Sequence, residues 1–172
     1  SSGNVWVVHI LLATDAAWIV DEIVAALGDD DVHFTVCREG RAVVVEVKKQ
    51  TPDLAILDLQ IGSMGGMAVT MALRLDESSG AVEHVRVLML LDRAADIHLA
   101  RRSGAEGWLI KPLDALRLRR AADALAAGGR YTEGLPVDAA DVDPMVPLPD
   151  SGDDDAVAPV EASTEEEPAT AG

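Results

Sequence analysis

Pro52-Asp53-Leu54-Ala55-Ile56-Leu57-Asp58 is the stretch that decides the fold of this chain. Its centre is short, unbroken and apolar, the composition of a strand buried on both faces, and it ends in a carboxylate. The glycine-rich run Gln60-Ile61-Gly62-Ser63-Met64-Gly65-Gly66 follows, and then a helical pattern begins. In an open parallel α/β sheet, ligands and chemistry gather outside the carboxyl ends of the strands. A lone aspartate at such a tip is a site candidate; a turn or helix-capping aspartate is the simpler alternative, and the neighbours of Asp58 must separate the two.

Outward from that stretch the chain alternates between two periods. Residues 5–12, 33–37, 54–58, 85–91 and 107–110 are short and rich in β-branched or large apolar side chains, and read as strands. Residues 16–27, 41–49 and 93–102, the segment after Gly66 and a last segment through Leu125 read as helices. Ala68, Met71, Ala72 and Leu75 fall at i, i+3, i+4 and i+7, and Leu118, Ala121, Ala122 and Leu125 repeat that spacing, so each set predicts a core-facing stripe. Gly28, Gly80 and Gly128 stand where a left-handed residue would close a helix. Five strands alternating with five helices require crossover connections, which points to a parallel sheet covered on both faces.

Composition sets the limits. A chain of 172 residues, 49% hydrophobic, is long enough for one domain with a sizeable core. The apolar run at residues 5–13 is far shorter than a membrane span and lacks a basic flank, so the expected location is the cytoplasm. Cys37 is the sole cysteine, which excludes an internal disulfide, and no Cys/His spacing suits zinc. The net charge of −16 is unevenly spread. Residues 1–130 carry 18 acids and all 14 bases, whereas residues 131–172 carry 12 acids and no base. This predicts a folded domain over residues 1–130 and a disordered, acidic tail rich in Pro, Ala, Asp and Glu over residues 131–172. Such a tail serves for solubility, as a lure for a basic partner, or as a flap over the helices before it.

Lys111-Pro112 follows the fifth strand as Asp58 ends the third, so an ammonium and a carboxylate can face each other at one sheet edge. This combination resembles the receiver domain of two-component response regulators, the CheY-like fold. The resemblance covers about residues 5–127 and rests on three pieces: Pro52 to Leu59, Met64-Gly65-Gly66-Met67, and Ser103-Gly104-Ala105-Glu106-Gly107-Trp108-Leu109-Ile110-Lys111-Pro112. It implies a doubly wound, five-stranded parallel sheet of flavodoxin-like type, strand order 2-1-3-4-5, with five helices. It also implies a phosphorylation switch rather than an enzyme turning over a separate substrate. The aspartate matching Asp58 attacks a phosphohistidine on a sensor histidine kinase, the lysine matching Lys111 neutralises a phosphoryl oxygen, and Mg2+ bridges phosphoryl group and aspartate. The metal's implied protein ligands are Asp58, the backbone carbonyl of Gln60 and an acidic pair ending the first strand.

Two departures from that pattern stand in the sequence. Where the family has its acidic pair, this chain has Ala13 and Thr14, with Asp15 just beyond; Asp15 reads either as a displaced metal ligand or as the cap of the helix starting at Ala16. Where the family ends its fourth strand in a hydroxyl residue, Val87-Leu88-Met89-Leu90-Leu91-Asp92 offers none, and Leu91 cannot donate a hydrogen bond to a phosphoryl oxygen. Trp108 takes the place of the family's switching aromatic, as a rotamer locked by packing or as an anchor in a partner interface.

Two functional readings remain open from residues alone: a single-domain response regulator that still accepts phosphate, or a pseudo-receiver that binds proteins without phosphorylation. A nucleotide-binding enzyme would need a phosphate-cradling glycine motif, and neither G-x-G-x-x-G nor G-x-x-x-x-G-K-S/T occurs. Arg93, Arg101, Arg102, Arg117, Arg119 and Arg120 make the last two helices basic, and this helix-strand-helix face is the expected output surface. Solvated faces and pairing with Asp96, Asp114 and Asp123 are the plainer account of those arginines. The expected partners are a sensor histidine kinase, a downstream protein and, by the resemblance, a second copy across the fourth and fifth helices. With this net charge and no DNA-reading motif after Gly129, direct DNA binding is not expected.

Overall fold

The structure is a computed structural model and is described over residues 7–134. Five parallel strands, β1 (Val8–Ala13), β2 (Val32–Cys37), β3 (Leu54–Asp58), β4 (Val87–Leu91) and β5 (Gly107–Ile110), form one sheet in the order β2-β1-β3-β4-β5. Helices α1 (Ala17–Leu27), α2 (Gly40–Lys49), α3 (Gly66–Ser78), α4 (Ile97–Ser103) and α5 (Ala115–Ala126) make the crossovers. β3 and β4 are buried at every residue, which is why both read as unbroken apolar runs.

Alternation along the strands divides the interior into two cores. Leu11, Ala13, Leu57, Met89, Leu91 and Trp108 point to the side covered by α2, α3 and α4, where Val43, Val47, Val69, Leu73 and Ala100 meet them. Ile10, Leu12, Ile56, Leu88, Leu90 and Leu109 point to the other side, against Ile19 and Ile23 of α1 and Leu118, Ala121 and Leu125 of α5. Register fixes which tips coincide: Asp58 lies opposite Leu90, and Leu91 opposite Ile110, so the ends of β3, β4 and β5 open onto one edge.

Several expectations are corrected here. β1 and β4 begin at Val8 and Val87, later than residues 5 and 85. The fourth helix is divided into a 3-10 turn, Ala94–Asp96, followed by α4. Ala68, Met71 and Leu75 do not line the core; α3 buries Gly66, Val69, Thr70 and Leu73, leaving Met71 49% and Leu75 70% exposed. Gly80 and Gly128 are left-handed as expected, but Gly28 has φ −63° and Gly104 takes that role at the end of α4. Tyr131, one residue past the boundary expected at Arg130, pairs with Gly107 at the edge of β5. The remainder of the expected acidic tail lies outside the described residues. Among the described residues, no helix is long and apolar enough to cross a membrane.

Candidate active site

β3 ends at Asp58, which is 2% exposed, and the chain turns at once into the loop leading to α3. The turn is close because the helix begins at Gly66: a Cβ there would lie 2.5 Å from the Asp58 carbonyl oxygen. Both carboxylate oxygens of Asp58 are engaged. Oδ1 accepts from Lys111 Nζ at 2.8 Å and from the Gln60 backbone N–H at 3.2 Å. Oδ2 accepts from the Thr14 hydroxyl at 2.9 Å, and Thr14 Oγ1 in turn accepts the Ala16 N–H at 3.2 Å.

Lys111 stands just beyond β5 and also donates to Asp92 Oδ1 at 2.8 Å, so one ammonium bridges the tips of β3 and β4. Burial alone pulls the Lys111 ammonium toward neutrality; hydrogen bonds and charge attraction from Asp58 and Asp92 outweigh it and hold its pKa above the ordinary lysine value. The site is thus a buried carboxylate held by one cation, one hydroxyl and one backbone N–H. The carboxylate is fixed in position, with a positive charge directly beside it.

Mg2+ requires near-octahedral oxygen coordination with ligands close together. Among the described residues, no group of three or more His, Cys, Asp or Glu side chains stands close enough to hold a metal ion. Ala13 supplies no oxygen, and Thr14 spends its hydroxyl proton on Asp58. Asp15 is exposed, and its Oδ2 accepts the Gly62 N–H at 3.3 Å. The donor set does not fit a tight, preformed magnesium site. Nor does Asp15 cap α1: the N-cap residue is Ala16, with no side-chain cap bond.

The other predicted residues separate into two groups. Leu91 and Trp108 are both buried, in one cluster with Met89, Ile97, Ala100 and Ala105. Trp108 is 1% exposed and its indole N–H donates to the Glu133 carbonyl at 3.0 Å, so it is a fixed core residue and not a surface anchor. Arg117 is likewise turned inward, donating to the Ile110 and Pro112 carbonyls, each at 2.8 Å, and to Glu133 and Asp114. Arg102 and Arg120 remain exposed, Arg101 is half-buried, and Arg93 pairs with Asp96 at 3.3 Å. Asp92 and Glu133 were missed. The strand-tip argument that found Asp58 applies equally to Asp92, directly after β4; Glu133 was hidden by its acidic neighbours in the sequence.

Comparison with known proteins agrees with this geometry. The chain is 31% identical over 134 residues to the transcriptional regulatory protein CseB of Streptomyces coelicolor, covering 73% of this chain and 55% of that protein. It is 28% identical over 106 residues to the DNA-binding response regulator MtrA of Mycobacterium tuberculosis, covering 60% of this chain and 44% of MtrA. The chain thus spans about half the length of these two relatives, and 19% of a third, the regulatory protein LuxO of Vibrio cholerae, to which it is 32% identical over 89 residues. Among solved structures, the receiver domain of NarL from M. tuberculosis matches with TM-score 0.60 at 27% identity, over 70% of this chain and 97% of that one. The receiver domain of a Pseudomonas aeruginosa sensor histidine kinase, with a magnesium ion in its active-site cleft, matches with TM-score 0.59 at 21% identity, over 69% of this chain and 97% of that one. The model of the response regulator receiver domain matches residues 10–123, and with the sheet order and the cleft at the tips of β3, β4 and β5 it makes this chain a member of the response regulator receiver domain family.

Proposed function

We propose that Asp58 accepts a phosphoryl group from the phosphohistidine of a sensor kinase, and that the signal leaves by protein contact through the face formed by α4, β5 and α5. Receiver domains of this family act in phosphorelay signalling; the acceptor, the donor and the output face are the proposal. One observation carries it: Asp58 and Lys111, 53 positions apart, meet at 2.8 Å at the mouth of the sheet. A carboxylate oxygen of Asp58 attacks phosphorus, the P–N bond breaks, and the histidine nitrogen leaves with the electron pair. Lys111 offsets the negative charge held on the phosphoryl oxygens. Hydrolysis reverses the state when water attacks phosphorus, the P–O bond to Asp58 breaks, the carboxylate leaves with the electron pair and inorganic phosphate is released. Magnesium binding at Asp58, Asp15 and the Gln60 carbonyl is proposed to be weak, for want of the acidic pair.

The second reading is a phosphorylation-independent protein-binding module. It is favoured by Thr14, whose hydroxyl occupies Asp58 Oδ2 where an acid would otherwise stand. Incubation with a small phosphodonor such as acetyl phosphate and Mg2+, read by intact mass, separates the two. The first reading requires one phosphoryl adduct on the wild-type chain and none on Asp58→Ala. No adduct on wild type after hours leaves the binding module as the function.

A further inference from the structure

β5 is the outermost strand on its side of the sheet, and its far edge carries backbone donors with no strand to receive them. A short return of the chain takes them up. α5 closes with bonds from Gly128 N to Leu125 O (3.0 Å) and from Gly129 N to Ala124 O (2.8 Å), with Gly128 at φ +87°. This reversal sends residues 130–134 back along β5. Tyr131 forms a parallel bridge with Gly107 and its carbonyl accepts the Trp108 N–H at 2.9 Å. Two residues on, the strand-like pairing is continued by a side chain: Glu133 Oε1 accepts the Ile110 N–H at 2.9 Å.

Everything at this edge converges on Glu133. Its carbonyl accepts the Trp108 indole N–H, and its carboxylate receives the Ile110 N–H and two donors from Arg117, one of them Nε at 2.8 Å to Oε2. Arg117 is itself aimed by the Ile110 and Pro112 carbonyls. The next position favours glycine, because Gly134 has φ +72° and a Cβ there would come within 2.8 Å of Ile97 Cδ1 and 3.2 Å of Ile110 Cδ1, so both side chains would have to shift. These are the requirements of a recognition site: one position for edge pairing, one carboxylate, one residue without a side chain.

We infer that the edge of β5 between α4 and α5 is a docking groove for an extended Tyr-x-Glu-Gly segment, filled in this chain by its own residues 131–134. A partner presenting an extended strand with glutamate followed by glycine competes for it by adding to the sheet edge. The strap is an intramolecular competitor with an effective concentration in the millimolar range, as a short tether through Gly128 and Gly129 gives. The inference refines the output face proposed above but stands on contacts that do not involve Asp58, so the two fail separately.

The test uses the full chain and a capped peptide with the sequence of residues 129–134. Hydrogen exchange is read at the Ile110 amide, the Trp108 amide and the Trp108 indole, with β3 amides as the control for folding. In wild type these edge groups are protected and the peptide does not bind at submillimolar concentration. In Glu133→Gln and, independently, in Gly134→Val, exchange at Ile110 accelerates at least tenfold; the peptide binds both variants and restores protection, and the same peptide with glutamine for glutamate does not. Unchanged protection at Ile110 in both variants overturns the inference. So does failure of the peptide to bind either variant, or equal binding of the glutamine peptide. A variant that loses protection in β3 is set aside, and the other then decides.

Discussion

Replacing Lys111 by methionine tests the centre of the site, because the methionine side chain keeps most of the packing and removes the charge together with the hydrogen bonds to Asp58 and Asp92. The Lys111 and Asp58 side chains are 13% and 2% exposed, and their N–O separation is 2.8 Å. At an effective dielectric of 20 that distance corresponds to a gross attraction of ~6 kcal/mol, and the desolvation already incurred by both groups offsets part of it. What remains after Lys111→Met is a buried carboxylate held by Thr14 and the Gln60 N–H alone, so a loss of about 3 kcal/mol in unfolding free energy is expected at pH 7. Urea denaturation followed by circular dichroism measures it, and adding Asp58→Asn should return at least half of the loss. The pH dependence has a definite sign. Lys111 is held above its unfolded value of 10.5, so its contribution is complete below that pH and is lost as pH rises through the higher folded value. Wild type should therefore weaken above pH 10.5 by an increment that Lys111→Met lacks. A loss below about 1 kcal/mol at pH 7, the range of exposed ion pairs, would refute the reasoning.

Three further outcomes are expected. Thr14→Asp should raise Mg2+ affinity at least tenfold by calorimetric titration, by supplying the missing carboxylate beside Asp58, while like-charge repulsion lowers metal-free stability by about 2 kcal/mol. Gly66→Ala places a Cβ 2.5 Å from the Asp58 carbonyl and should cost about 2–4 kcal/mol in urea unfolding. His9 is buried, its ring centroid 5.3 Å from that of His33 at a 35° tilt, and bonded through Nε2 to Thr35; burial and then His33 lower its pKa, against Asp53 and Glu46, so stability is full above pH 6.5 and falls as pH drops through the lower folded value. In His9→Val that acid-side decline should be flattened in pH-dependent unfolding.

Legibility followed the physics of each element. The Asp58 strand was readable because a central parallel strand must be apolar along its whole length, and its tip could be placed with no knowledge of neighbours. The face of α3 was not. Gly66, Val69, Thr70 and Leu73 repeat the same i, i+3, i+4, i+7 spacing as Ala68, Met71, Ala72 and Leu75, so periodicity alone admits two frames. The choice is made by the approach of Gly66 to the end of β3, and Thr70 can be buried because its hydroxyl donates to the Gly66 carbonyl at 2.8 Å. Composition likewise hid Glu133. A window of acids, alanines and prolines reads as a tail, and nothing in it marks the single glutamate whose partners, Arg117, Ile110 and Trp108, come from earlier in the chain.

The two departures from the family pattern act on one quantity, the charge that must be balanced at the strand tips. With Ala13 and Thr14 in place of acids, the buried part of the cleft holds Asp58 facing Lys111, with Asp92 sharing the same ammonium. Such a site needs less compensation from a divalent cation than a three-carboxylate cluster would. It also assigns Lys111 two partners where phosphoryl transfer needs it for a third. Under the proposed function a phosphoryl group on Asp58 would compete with Asp92 for that ammonium, and Asp92 leads into the 3-10 turn Ala94–Asp96 and α4. Leu91 has no hydroxyl and Trp108 is held by Glu133, so under the proposed function the Asp92–Lys111 bond is one contact through which the occupancy of Asp58 would bear on α4.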